Sequence, residues 1–302
     1  MYLSTTLFII YGLPSLFLII SFIFLLSSSS KFKYSFYRVV QLDLLINVFC
    51  YSNTWIAIRL MMDPAGKDIL VWLYKNINFL YRLSHFLVVW FFHAQSVSTL
   101  LICTHRLTTA LFERSNDFWR RYTPLVYLGA FVYCSGVLSR WWLFGDNYVQ
   151  YKLVNETLIP VYDQTSASAL ASITLAFSVI YFVMISLTGA ATVIVISRRF
   201  GSQASSLTKK MTRIALVHTA IYTGLLAYLL LNQISSLYAV KLVPNEVQWM
   251  LQLCASDTIT LSMPYILMIC DRNVRDFALL QKTSQFSKTT QVQSTTKTVQ
   301  IE

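Results

Sequence analysis

Residues Asn78 to Arg106 read NFLYRLSHFLVVWFFHAQSVSTLLICTHR. The stretch is long and apolar enough to cross a bilayer, because about 20 such residues cover the hydrocarbon core as a helix. It nevertheless carries Arg82 and His85 near one end, and Thr104-His105-Arg106 closes it at the other. An ionisable group within a span costs about 2.5–3.5 kcal/mol at the centre on insertion scales, and therefore faces a protein interior or a watery cavity. The stretch reads as the central helix of a bundle, joining an outer cavity to an inner, basic face.

The rest of the chain agrees with a membrane setting. Of its 302 residues 56% are hydrophobic and only 12% are charged, where a soluble domain carries about 25%. The lipid bilayer is thus the first partner the composition implies. A net charge of +11 would point to nucleic acid in a soluble protein. Here it follows from the enrichment of Lys and Arg in cytoplasmic loops, and no nucleic-acid partner is expected. Cys50, Cys103, Cys134, Cys254 and Cys270 all fall within or at the ends of apolar segments, with the spacing of neither a metal site nor a disulfide framework.

Seven apolar runs, at 3–26, 36–62, 78–104, 124–144, 168–196, 214–238 and 247–270, predict an all-α, single-domain, seven-transmembrane helix bundle. Met62-Asp63-Pro64-Ala65-Gly66 reads as a turn after the second run, residues 145–167 as a polar loop, and 271–302 as a largely disordered cytoplasmic tail. The set of loops that includes the tail holds 17 Lys and Arg and the opposite set six, with Arg59 counted among the six. That bias places the N-terminus outside and the C-terminus in the cytoplasm. The lone sequon, Asn155-Glu156-Thr157, then falls in an extracellular loop, as a glycosylation acceptor must.

Seven helices with a basic inner face is the plan of a G-protein-coupled receptor. All eleven lysines lie in loops or the tail, so no span offers an amine for a retinal Schiff base. Three pieces carry a more specific likeness. They are Phe36-Tyr37-Arg38-Val39-Val40-Gln41-Leu42-Asp43-Leu44-Leu45 with Asn53-Thr54-Trp55, then His105-Arg106-Leu107-Thr108, then Ser262-Met263-Pro264-Tyr265-Ile266-Leu267 with Asn273-Val274-Arg275. In these the chain resembles the nematode serpentine chemoreceptors of class gamma. The resemblance implies a chemosensory receptor at the plasma membrane of sensory cilia, with a small-molecule ligand and a heterotrimeric G protein as partners. It supplies no ligand identity. Thr104-His105-Arg106 stands where rhodopsin-like receptors have Asp-Arg-Tyr, and the extracellular loops lack a cysteine, so activation geometry is not carried over from that group.

Arg82 either receives an acidic ligand group on its planar fork or extends to lipid headgroups, and His85 is its neighbour on the same face. Asp43, with Asn47 one turn on, and Asp257 in the seventh run form an intramembrane polar network, either a two-state switch or a static cluster. His105, Arg106, Arg198, Arg199 and Arg275 face the G protein on this reading; the plainer account of Arg106 is positive-inside topology. Cys270, beside basic residues, is a weak candidate for palmitoylation. No catalytic constellation, metal-ligand spacing or phosphate loop appears, so neither an enzyme nor a bound cofactor is expected. A seven-helix transporter is the rival class, but no self-similar halves or matched helix interruptions are found.

Overall fold

Helix α1, Leu3–Ser28, is apolar from end to end, with Pro14 inside it. Helix α2, Ser35–Thr54, runs into a π-helical turn, Trp55–Arg59, and a last short turn α3, Leu60–Met62. Helix α4 is Pro64–Asn76 and α5 is Asn78–Leu111. Helix α6, Ser115–Leu143, is followed by strands β1, Val149–Val154, and β2, Thr157–Tyr162. Helices α7, Gln164–Arg199, α8, Ser206–Leu237, and α9, Asn245–Cys270, complete the order. This computed structural model describes residues 3–28, 32–62, 64–143, 149–154, 157–162, 164–199, 206–237, 245–271 and 274–275.

Seven of these helices have 20 residues or more among the described residues. Four contain stretches long and apolar enough to cross a membrane: Thr5–Ser28, Asn78–Leu111, Ser172–Arg198 and Leu253–Cys270. Helix α5 packs against α2, α4, α6, α7 and α8, while α1 and α8 flank α9. The largest core cluster gathers Phe22 of α1, Leu44 of α2, Ile102 of α5 and Leu267 of α9. Helices in lipid have little hydrophobic drive to associate, so close packing and buried polar contacts hold such a bundle. Gly12 shows how close the packing is: a Cβ there would overlap the Tyr51 hydroxyl of α2.

Four expectations change. The turn read around Pro64 is the start of α4, with proline at the first helical position, where its missing N–H costs nothing. Leu70 and Leu73 of α4 bury against Tyr81 of α5. The loop read at 145–167 contains an antiparallel hairpin in which Gln150 pairs with Val161 and Lys152 with Ile159. Its strands are short runs of β-branched and aromatic residues, a signal that a count of charges passes over. The third apolar run does not stop at Arg106, because α5 continues to Leu111 and its capping N–H is that of Phe112. Arg120 and Arg121 lie within α6, and Lys209, Lys210 and Arg213 within α8, not in loops.

Candidate functional site

Polar groups enter the buried core in three layers along α2, α5 and α9. The first is built on Arg59, at the end of the π-helical turn. An extra residue in a helical turn re-aims the side chains beyond it, and such turns recur at functional sites. Arg59 is directed into the bundle, and its side chain is 1% exposed. Its Nη2 pairs with Oδ1 of Asp257 on α9, and Tyr11 of α1 donates its hydroxyl to Oδ2 of the same carboxylate. The guanidinium carbon lies 4.5 Å from the ring centre of Tyr51, 5.0 Å from Phe8 and 5.3 Å from Trp55. Nε and Nη1 have no hydrogen-bond partner among the described residues, so the π faces of this box supply much of their electrostatic environment. Three helices therefore meet on one buried charge pair.

The second layer is a chain of amides and hydroxyls. Gln95 of α5 donates from Nε2 to Asn47 Oδ1 of α2 (2.8 Å) and to Thr260 Oγ1 of α9 (3.0 Å). Asn47 in turn donates from Nδ2 to Asp43 Oδ2 (3.0 Å). Ser96 and Tyr222 bridge α5 to α8 through their hydroxyls (2.5 Å), and His93 Nδ1 lies 2.8 Å from the hydroxyl of Tyr181 on α7. Thr260 follows Asp257 by three residues, one helical turn, so this layer abuts the first.

The third layer lies at the opposite end of the bundle from the start of α1. Asp271, fully buried, receives Lys210 Nζ of α8 on Oδ1 (2.7 Å) and the Tyr37 hydroxyl of α2 on Oδ2 (2.5 Å). Arg106 donates from Nη2 to Thr212 Oγ1 of α8 (3.4 Å) and stands 5.4 Å from the ring centre of Phe36. His105 Nε2 is 2.8 Å from Ser35 Oγ, which also donates to Asn116 Oδ1 (2.6 Å). The start of α8 is thereby fastened to α2, α5 and the end of α9. Among the described residues no cluster of three His, Cys, Asp or Glu could hold a metal ion.

A family profile described as Srg family chemoreceptor matches residues 5–277, which takes in all three layers. The chain belongs to this family of chemoreceptors. Serpentine receptor class gamma-53 of Caenorhabditis elegans is 35% identical over 278 residues, covering 90% of this chain and 89% of the relative. Serpentine receptor class gamma-47 of the same organism is 27% identical over 275 residues, covering 88% and 86%. The chemoreceptor assignment agrees with the multi-pass, helical membrane architecture, and the family is not an enzyme family.

Within this Srg chain the structure redistributes the residues that sequence reasoning selected. Asp43 and Asn47 are bonded to each other, but Asp257 is paired with Arg59; Gln95 ties Asn47 to Thr260, one turn beyond Asp257 on α9. Arg82 lies on the exposed face of α5, whereas His85 is half-buried and meets Tyr81 edge-on at 4.8 Å. One turn apart, they differ in depth: the buried Tyr81 and Ser84 set the rotation of the helix, so that Arg82 points outward and His85 lies toward the buried side. His105 and Arg106 are buried, at 1% and 5% exposure, rather than displayed at a surface. Arg198 and Arg275 are exposed. Arg199 ends α7, and its side chain lies outside the described residues, as does Asn155 altogether. Arg59, Gln95, Tyr11, Lys210 and Asp271 were not singled out. Arg59 had a readable signal: it stands four residues after Trp55 and eight after Tyr51, inside an apolar run.

Proposed function

We propose that this chain is a seven-span chemosensory receptor of the plasma membrane of sensory cilia. Its N-terminus is extracellular and its C-terminus cytoplasmic; it binds an extracellular small molecule and signals to a heterotrimeric G protein. The observation that carries the reading is the layering of buried polar contacts along α2, α5 and α9. A charge pair inside an aromatic box sits in the half of the bundle where α1 begins, and an ion pair on the buried Asp271 holds α8 at the far end. Buried polar networks with two discrete packings are elements a ligand can bias, and a ligand shifts the equilibrium by its difference in affinity for the two.

On this account Arg59 with Asp257 and Tyr11 is the ligand-sensing group, and His85, half-buried on α5, is a further ligand contact. Arg82, being exposed, serves lipid or solvent. At the cytoplasmic end Arg198, Arg199 and Arg275 meet the G protein. From beneath, Arg106 holds α8 to α5 and His105 holds α5 to α2. The test is expression in cells with a G-protein readout while small acidic and neutral secreted metabolites are screened. A saturable, dose-dependent response that requires the chain supports the reading. Substrate flux through the reconstituted chain without any G protein would replace it with a transporter.

A further inference from the structure

We propose that a cleft between α1, α8 and α9 binds a neutral, largely apolar molecule bearing hydroxyl, ester or amide groups, which enters sideways from the bilayer. The cleft encloses about 570 Å³, within the roughly 300–1,000 Å³ of small-molecule sites. Tyr11 and Ser15 of α1, Val217 and Ile221 of α8, and Asp257 and Tyr265 of α9 form its main walls. On α9 the lining runs from Cys254 to Cys270, wholly inside the membrane-apolar stretch Leu253–Cys270, and on α1 it lies inside Thr5–Ser28. Its rim residues Val217, Thr258, Tyr265 and Ile269 are exposed. At that depth the medium outside the rim is hydrocarbon, so the occupant arrives through lipid.

The polar groups set its chemistry. Ser15 and Tyr265 hydroxyls lie 2.7 Å apart across the cleft, and the Tyr11 hydroxyl donates to Asp257. The one carboxylate on the wall is already matched by Arg59, so the lining presents hydroxyl donors and acceptors with no uncompensated charge, and a further cation, Arg213, lies beyond its inner end at Cys270. An ionised headgroup drawn to Ser15 and Tyr265, inside the apolar stretches of α1 and α9, would have to leave the interface, at a cost of several kcal/mol by insertion scales that put about 2.5–3.5 on one charged residue. A neutral group meets no such penalty. The lining on α9 runs from Cys254 to Cys270, about 24 Å at 1.5 Å per residue, which suits an extended apolar tail.

The inference rests only on α1 and α9 crossing the bilayer and not on G-protein coupling. The test places the full chain in lipid nanodiscs with a monoacylglycerol carrying a diazirine and an alkyne in its acyl chain. After irradiation, labelled peptides are mapped. Labelling is expected to concentrate on peptides containing Tyr11, Val217 and Tyr265, above the exposed α7 face at Val183 and Leu187. Val217→Trp and Thr258→Trp fill the rim, and each should lower cleft labelling about tenfold, equivalent to 1.4 kcal/mol of affinity. Labelling of the α7 face should not change. An alkyl phosphate probe of equal chain length should label cleft and α7 face alike. The proposal is overturned if the monoacylglycerol labels the cleft no more than the α7 face, or if the phosphate probe labels the cleft as strongly. The comparison of the two probes needs no variant, so a misfolded variant does not remove the test. Loss of G-protein signalling would leave its outcome unaltered.

Discussion

Replacing Asp257 with Asn keeps the shape of the side chain and removes one charge. The Arg59 guanidinium, 1% exposed, would then lose the carboxylate that its Nη2 meets. Breaking a buried pair by removing one partner costs about 3–5 kcal/mol, because the remaining charge is uncompensated. The box of Phe8, Tyr51 and Trp55 softens this, since a cation over an aromatic ring gains about 0.5–2 kcal/mol. Those rings are present in the wild type as well, so they limit relaxation of the guanidinium rather than restore the lost pairing. The expected net loss for Asp257→Asn is therefore about 3 kcal/mol, at the low end of the buried-pair range. Arg59→Met alone should be less harmful, since the carboxylate retains Tyr11 as a donor and can take up a proton. The double variant Arg59→Met/Asp257→Asn should recover most of the loss, because two matched neutral side chains in place of a buried pair are often neutral or stabilising. Reversible unfolding in mixed micelles by titration with denaturing detergent gives all three free energies at equal protein concentration. Asp257→Asn within about 1 kcal/mol of wild type, the range of a surface pair, would refute a buried, carboxylate-dependent Arg59. Failure of the double variant to exceed Asp257→Asn would refute the pairing itself.

Gln95→Leu should cost about 1–2 kcal/mol in the same assay, because it removes two interhelical bonds of the size measured within membranes. A change below half that would show that Asn47 and Thr260 find other partners. Asn155→Gln should abolish N-glycosylation in a eukaryotic host; a glycan persisting on the variant would contradict the proposed orientation. Arg82→Ala should leave the potency of any activating metabolite within about twofold at matched surface expression, since its exposed side chain adds only the few tenths of a kcal/mol of a surface group. A tenfold loss would return Arg82 to the ligand site.

The sequence shows the apolar runs plainly, and the centrality of α5 follows from its polar residues lying within an apolar run. It shows poorly which charges turn inward. Arg59 and Arg82 are single arginines near the ends of apolar runs, and a linear count sorts neither by direction. The π-helical turn at Trp55–Arg59 and the aromatic box decide that one faces the core, while the packing of Tyr81 and Ser84 turns the other outward. Asp257 is legible as an intramembrane acid, but its partner, at the end of the π-helical turn, lies 198 residues away in the chain. Asp271 opens the stretch read as a disordered tail, and Lys210 lies between the apolar runs 168–196 and 214–238. Their pairing depends on α8 extending below its apolar run, because the helix begins at Ser206. Strands β1 and β2 and helix α4 are too short and too polar to register as long apolar stretches.

In the function proposed above, this Srg chemoreceptor drives a G protein from a bundle held inactive by the contacts of α8 with Asp271 and Arg106. Asp271→Asn removes the charge that holds Lys210, an ion pair of which 16% of the lysine side chain is exposed. The most direct measurement is nucleotide exchange on purified heterotrimeric G proteins of each class, catalysed by wild type and Asp271→Asn in nanodiscs without added ligand. The account predicts that Asp271→Asn exceeds wild type, by a factor of about three to ten if release of α8 is worth 0.7–1.4 kcal/mol, and that both exceed empty nanodiscs for at least one class. Exchange no faster than in empty nanodiscs for folded wild type and folded Asp271→Asn, across every class, would contradict it.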